Sequence, residues 1–569
     1  MLLAALAALV VPSAGAAART SVEVMPGITH IKDVRRVGGS RVVFHVALGP
    51  QPGGLYDLRP ILSGNRINGL ETLSSMQRKL LRGANMVGVN GDLFTAATGA
   101  PSGIFLRDNV LKTTPWRGRS ALGIAASGVL RIGQIGFSGT FKIGDSPEHN
   151  LRQFNRVLPD SPGFALYTPS WGERTPTVPH ANELIVDDVN RTFPNRDRAG
   201  IVVRVVRGSG HAIPAGGAVL QARGISRDLL KAEAGPGLVL TFRLGLTNWW
   251  DDVENAIGGG PLLVRGGVPV FRPDEAFTSY QIDQRHPRTA VGQRPDGTII
   301  LLVADGRSKL SHGLTMNQLA NQMANYGAER AMALDGGGSS EMAFNTRVWN
   351  VPSDGNERPL SESLQLVYIG VYARQPFRDV FSPNGDGYHD GQKLYAKLVR
   401  ASNLHLQLFR PNDTLKWQLQ ADRDPGLIVK RLHPESLMEG TWRWVVEATD
   451  RQARDSRMVR RFRVNNTLGY LTLSTRRMRV RKGHGGRLRI GFKSTHGADV
   501  KILIERQGKI VRHLISREGL TPGAYAVIWN GRNDAGKVVS SGRLVASVRA
   551  DNNLGRVDLR KAFRVERVS

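Results

Sequence analysis

The sequence predicts a mixed α/β (α+β) domain with a β-rich elaboration over residues 20–374, followed by two all-β sandwich modules at 375–467 and 468–569. Three patterns lead there. Between Thr298 and Leu334 an apolar strand, a helix-periodic stretch and a second apolar strand follow one another. From Phe137 to Trp249 helical periodicity gives way to short strand-like runs such as Ile201 to Val206 and Leu238 to Leu244. Beyond Gln375, short alternating strands recur with turns between them. At 569 residues the chain is too long for one ordinary core.

In chain order, Leu2 to Val11 form an apolar run followed by Pro12, Ser13 and small residues. Residues 1–18 therefore read as a secretory signal peptide, although no Lys or Arg precedes the run. Leu70, Leu73, Leu80 and Leu81 fit one face of a helix, and Met86 to Val89 then form a strand ending at Asn90-Gly91-Asp92. Gly258, Gly259 and Gly260 read as a turn beside apolar residues. His286-Pro287-Arg288 opens a strand with a cation and an imidazole at its mouth. His286 is either a hydrogen-bonded structural residue or a proton carrier, whereas the Arg288 guanidinium suits phosphate oxygens bidentately.

Thr298 to Ala304 form a continuous apolar strand that stops at Asp305-Gly306-Arg307. Thr315 then caps a helix in which Met316, Leu319, Ala320, Met323 and Ala324 share a face, and Gly327 closes it. The next strand, Ala331 to Leu334, ends at Asp335-Gly336-Gly337-Gly338-Ser339-Ser340-Glu341. Strand, helix, strand implies a right-handed βαβ unit of parallel strands, which puts Asp305 and Asp335 at one sheet edge. Glycines there admit tight turns and close approach of a ligand to the amides, and the carboxylates and hydroxyls supply polar contacts.

These segments together resemble the phosphodiester glycosidase family, whose animal member removes N-acetylglucosamine from a phosphodiester. The resemblance runs from about Asn90 to Val371. It rests on Asn90 to Phe94, Pro101-Ser102-Gly103, Asn255 to Leu263, His286 to Gly292, Asp305-Gly306-Arg307 and Leu334 to Ser339. It implies an exported hydrolase acting on a sugar 1-phosphodiester of envelope or extracellular polysaccharide, with a non-catalytic glycan-binding protein as the alternative. Cleavage at the anomeric carbon develops oxocarbenium character, which a carboxylate stabilises, and the departing phosphate calls for cations. Asp335 with Asp305 or Asp92 are the expected catalytic carboxylates. Arg288, Arg307, Asn90, His286 and the stretch Gly336, Gly337, Gly338, Ser339, Ser340 and Glu341 are the expected substrate contacts.

The C-terminal modules carry no catalytic set. Gly508 to Arg512 and Trp529 to Lys537 resemble the Ig-like domain of flagellar hook-capping proteins, and Gly440-Thr441-Trp442 is a looser version. Asn384, Asp386 and Asp390 imitate part of a calcium loop, but Lys393 stands where a bidentate Glu belongs. No cofactor is predicted. Calcium in that loop, or a divalent ion on Asp305 and Asp335, is the alternative the carboxylates leave open.

With no cysteine, disulfides, a thiol nucleophile and a thiolate zinc site are excluded. Residues 375–569 hold 38 Lys and Arg against 18 Asp and Glu, or +20 of the chain's +29. For an exported, wall-associated chain that charge points to an anionic glycan, with Arg476 to Lys482 as one grip, and away from nucleic acid. No later apolar run reaches membrane-spanning length.

Overall fold

The computed structural model describes residues 18–189, 191–246, 250–270, 275–433, 437–481 and 484–568. The signal-peptide expectation falls on residues before Ala18 and lies outside this set, as does Lys482. The chain divides into two compact units, Met1–Ile369 and Gly370–Ser569.

The first unit corrects the mixed α/β expectation: it is predominantly antiparallel β. Its described α-helices, Leu73–Leu80, Ser226–Glu233, Ser279–Asp283 and Met316–Asn325, are all short. The sheet that positions the site has eight strands in the order Ala18–Met25, Ile28–Val37, Ser40–Gly49, Ile299–Ala304, Arg288–Gln293, Arg330–Ala333, Leu262–Arg265, Val268–Pro269.

The predicted strand-helix-strand is present, but its strands are not neighbours. Arg288–Gln293 lies between Ile299–Ala304 and Arg330–Ala333 and pairs antiparallel with both, Arg288 opposite Ala304 and Ala290 opposite Ala333. The two flanking strands therefore run the same way. Their C-terminal ends, with Asp305 and Asp335 just beyond, share an edge with the entry of the Arg288 strand.

The helix Met316–Asn325 forms where the sequence placed it. The Thr315 side chain accepts from the Gln318 amide, and the Gln318 side chain accepts from the Thr315 amide, completing a capping box. Its Leu319, Ala320 and Met323 pack with Ile300, Leu302 and Ala304 on one face of the sheet. Full burial of Leu319 and Met323 stabilises this contact by roughly 2 kcal/mol each.

A five-stranded sheet brings Asn85–Asn90 between Met342–Phe344 and Glu362–Tyr368, with Ser363 opposite Asn90. Another five-stranded sheet carries Val253–Gly258 beside Phe105–Arg107 and Ser120–Ala125. The β-rich stretch folds as an eight-stranded sheet around Phe141, Phe164, Leu184, Leu220 and Phe242.

The second unit contains five-, two-, three- and five-stranded sheets in chain order. In its last hundred residues Ile490 and Trp529 of the three-stranded sheet share a core with Val480, Ile502, Val548 and Phe563 of the five-stranded one. The calcium-like loop is an amide-satisfied turn. Asp390 accepts from the Gly385 and Gly387 amides, Asn384 from Asp386, and Asp386 from the amides of Tyr388 and Arg560. Its acceptor oxygens are thus directed at backbone donors. Among the described residues, no helix is long and apolar enough to cross a membrane, and no group of three or more His, Asp or Glu is arranged to hold a metal ion.

Candidate active site

Three loops meet at the shared sheet edge, and hydrogen bonds fix their meeting. The Asp335 amide donates to the Gly91 carbonyl at 3.0 Å, and Asn90 Nδ2 donates to the Asp335 carbonyl at 2.8 Å. Asn90 Oδ1 accepts from the Thr289 hydroxyl at 2.7 Å and the Glu341 amide at 3.1 Å. Asn90 is fully buried with both side-chain polar atoms engaged, so it braces the site from behind.

In front of that brace a cavity of ≈ 160 Å³ is lined by Asp335, Gly336, Gly337, Arg288, Arg307 and His286, together with Leu93, Phe277 and Tyr280. Arg288 is buried and donates from Nε to the Leu314 carbonyl and from Nη2 to the Gln284 carbonyl, both at 2.8 Å. Among the described residues its Nη1 is left without a protein acceptor. Arg307 is exposed and packs over Gly337, where φ is +64° and a Cβ would lie 3.1 Å from Arg307 Nη2. Burial and the Arg307 charge hold Arg288 down at about 10, still cationic at neutral pH. Two guanidiniums facing one cavity are able to receive an anion.

His286 Nε2 lies 3.1 Å from the Tyr280 carbonyl, which can only accept, so that nitrogen carries the proton. Nδ1 is then the acceptor for Arg307 Nη2 at 3.1 Å. Burial and the two arginines lower the His286 pKa, so the ring is neutral and orients Arg307.

The carboxylates separate into three settings. Asp335 lines the cavity; its Oδ1 accepts from the Gly336 amide at 2.8 Å and its carboxyl is bonded by the Ser339 hydroxyl, while burial pushes it up to about 6. Asp92 lies within electrostatic reach of Asp335, buried and bonded by the amides of Leu93 at 2.7 Å and Gly103 at 2.6 Å. Burial raises it to about 6, against those amides and the charge of Arg119.

Asp305 departs from the expected role. The Ile299–Ala304 strand turns Ala304 toward the helix face and Asp305 toward the other, where it accepts from the Val351 amide at 3.1 Å and lies 3.9 Å from His45 Nε2. It does not line the cavity. Strand alternation put it at the predicted edge but on the opposite face.

Gly338, Ser339, Ser340 and Glu341 also sit behind the wall. A Cβ on Gly338 would meet Arg358 Nη2 at 1.9 Å, so glycine is needed for the Arg358–Asp354 ion pair to pack there. Glu341 is fully buried, accepts from the Arg358 amide at 2.7 Å and is pushed by burial up to about 8, so it is protonated at neutral pH.

Sequence reasoning missed Glu362, Arg119 and Arg156. Glu362 Oε1 accepts from the Asp92 amide at 3.1 Å, and burial and the Asp92 charge hold its pKa well above the ordinary value. Arg156 donates to the carbonyls of Ser102, Gly103 and Thr114, pinning the loop that feeds its amide to Asp92. Arg119 stacks 4.5 Å over Phe277 and 4.9 Å over Trp116, and donates twice to the Ala276 carbonyl. Its charge acts on both Asp92 and Asp335. None of the three sits in a recognisable motif.

Comparison with known proteins places residues 189–367 in the phosphodiester glycosidase family model. The SPbeta prophage-derived protein YomE of Bacillus subtilis (strain 168) is 37% identical over 115 residues, 20% of this chain and 18% of its own. The chain thus spans under a fifth of the length of that curated relative. A crystal structure of a hypothetical protein from Synechocystis is 21% identical with a TM-score of 0.54, covering 62% of this chain and 64% of its own, a likeness of fold. The catalytic domain of the zebrafish N-acetylglucosamine-1-phosphodiester alpha-N-acetylglucosaminidase, auto-inhibited by its pro-peptide, is 15% identical with a TM-score of 0.35, covering 62% and 87%.

Proposed function

We propose that this chain, whose residues 189–367 match the phosphodiester glycosidase family, is an exported hydrolase that cleaves a sugar 1-phosphodiester in envelope or extracellular polysaccharide. The observation that carries the reading is the lining of one cavity by Asp335, Arg288 and Arg307 together. In this reading Arg288 Nη1 and the Arg307 fork hold the phosphodiester oxygens. The bond between the anomeric carbon and the phosphate oxygen breaks, its electron pair leaves on the phosphate, and the two cations stabilise that charge. The Asp335 carboxylate faces the positive anomeric carbon and takes a proton from the water that attacks it. Products are the free sugar and a phosphomonoester. Asp92, outside the cavity lining, feels the Asp335 charge, and Asp305, also outside it, takes no part.

The test is kinetics of the parent, Asp335→Asn and Arg288→Ala on a panel of glycosyl 1-(methyl phosphate) diesters, read by release of methyl phosphate. Turnover by the parent and its loss in both variants supports the reading. Near-parent rates in both variants would sink the assignment, and saturable binding without release would favour the non-catalytic glycan-binding alternative.

A further inference from the structure

The strand Arg477–Arg481 alternates exposed Arg477, Arg479 and Arg481 with buried Met478 and Val480. It pairs parallel with Val557–Val568, which puts Arg477 opposite Arg564, and Arg564 in turn is opposite Arg543 of Gly542–Asp551. All three are exposed, because their neighbours Met478, Phe563, Val565 and Leu544 point into the core. Adjacent strands lie about 5 Å apart, so three guanidiniums stand in a row about 10 Å long across the outer face of the sheet.

Like charges set directly opposite one another destabilise a sheet, and elsewhere in the same sheet arginines are set against carboxylates. Arg549 and Arg560 both pair with Glu505, and Arg549 also lies 3.4 Å from Asp558. Arg479 faces Glu566 across the strands. Among the described residues, no ion pair reaches Arg477, Arg543 or Arg564. The repulsion among these three adjacent cations is left standing, and an external anion relieves it.

We propose that this row is a second, non-catalytic site, which binds the phosphodiester-bridged backbone of an anionic glycan. The proposal rests on the reading of the cavity as a glycosyl phosphodiester site, since it assigns the same polymer to both. Guanidinium forks match phosphate oxygens bidentately. No aromatic ring interrupts the row to stack a base, which favours a glycan over single-stranded nucleic acid.

The experiment measures binding of the full chain to poly(glycerol phosphate), with dextran, duplex DNA and single-stranded DNA in parallel. Three phosphate contacts predict roughly 20- to 40-fold weaker binding between about 50 and 200 mM salt. The triple variant Arg477→Ser, Arg543→Ser, Arg564→Ser should lose at least about tenfold in affinity and most of that salt dependence. It should keep the parent's turnover of a small glycosyl phosphodiester and melt no lower than the parent.

A control removing the same charge elsewhere, Arg204→Ser, Arg207→Ser, Lys231→Ser, should bind as the parent does. Arg564→Gln alone, at the centre of the row, repeats the test with one change. Undiminished binding by the triple variant, an equal loss in the control, or tighter binding of either DNA than of the glycan would overturn the proposal. Absence of turnover in parent and variants alike, with the binding pattern intact, would overturn the catalytic reading instead.

Discussion

Arg307 is held over the cavity by His286, whose Nδ1 accepts from Arg307 Nη2 at 3.1 Å because its Nε2 proton is committed to the Tyr280 carbonyl. The arginine sits at φ +57°, a backbone state that a non-glycine residue rarely adopts. The ring thus fixes a side chain whose backbone is already unusual.

His286→Ala should therefore weaken substrate binding more than turnover. A hydrogen bond to a charged group contributes about 1.5–3 kcal/mol, so KM for a glycosyl phosphodiester should rise about tenfold or more while kcat changes little. The lowered His286 pKa gives the sign of the pH effect: above it the ring is a neutral acceptor, and below it protonation removes that acceptor and repels Arg307. Parent KM should accordingly climb at acid pH, and the variant should lack that climb. Equal losses in kcat and kcat/KM would contradict a positioning role.

Asp335→Asn separates catalysis from stability. Activity in the parent should fall on an acid limb near pH 6, where Asp335 takes up its proton. The variant should lose at least about a hundredfold in kcat, the scale of a removed acid–base group. Its stability should move the other way. The folded pKa is raised above the unfolded value, so ionised Asp335 destabilises the fold above pH 6, and the penalty fades as pH falls from 6 toward 4. The Asn side chain can still accept from the Gly336 amide, and the Ser339 hydroxyl can rotate to accept from its NH₂. Thermal melts should show the variant above the parent at pH 8 with the gap closing by pH 4. A variant that melts below the parent at pH 8 would refute this account.

The elements were legible in the sequence where periodicity and capping agree, as in Thr315 to Asn325, and where an apolar run ends in polar residues, as at Ala304 and Ala333. Strand order was not. A fully buried run such as Ile299–Ala304 reads the same whether its partner is parallel or antiparallel, so the insertion of Arg288–Gln293 left no trace. That insertion is why a parallel α/β reading gives way to an antiparallel sheet.

The cavity shows the same limit. Asp335, Arg288 and Arg307, each of which follows or opens a strand at one edge, line one cavity, whereas Asp305 at the same edge does not, because an edge does not specify a face. Glu362 lies 270 positions from Asp92 and opens a wholly buried strand, so only the fold brings the two carboxyls together.

Gly258 tests how tightly the Asp92 setting is built. A Cβ there would lie 2.2 Å from Asp92 Oδ2 and 2.7 Å from the Gly103 Cα, and backbone on that side has no room to yield. Gly258→Ala should cost at least about 1–3 kcal/mol by overpacking and reduce turnover as Asp92 is displaced. Gly83→Ala, where a Cβ meets nothing within 4 Å, should be neutral on both counts. Denaturant midpoints for the two variants would decide it, and similar midpoints would show that the Asp92 pocket has slack.

Arg119 tests whether the two carboxylates act as one electrostatic unit. Its charge opposes the upward push of burial on both Asp92 and Asp335, and its plane is held by Phe277, Trp116 and the Ala276 carbonyl. Removing the charge in Arg119→Gln should let both carboxyls rise further, moving the acid limb of kcat/KM upward from about pH 6. Arg119→Lys keeps the charge but loses the planar stack, a contact of about 0.5–2 kcal/mol. Its limb should stay near the parent's while its overall rate drops. The split between the two variants matters more than either rate, because a residue that merely fills space would lower the rate in both and leave the limb in place. A limb unmoved in Arg119→Gln would assign Arg119 to packing and leave Asp335 to ionise on its own.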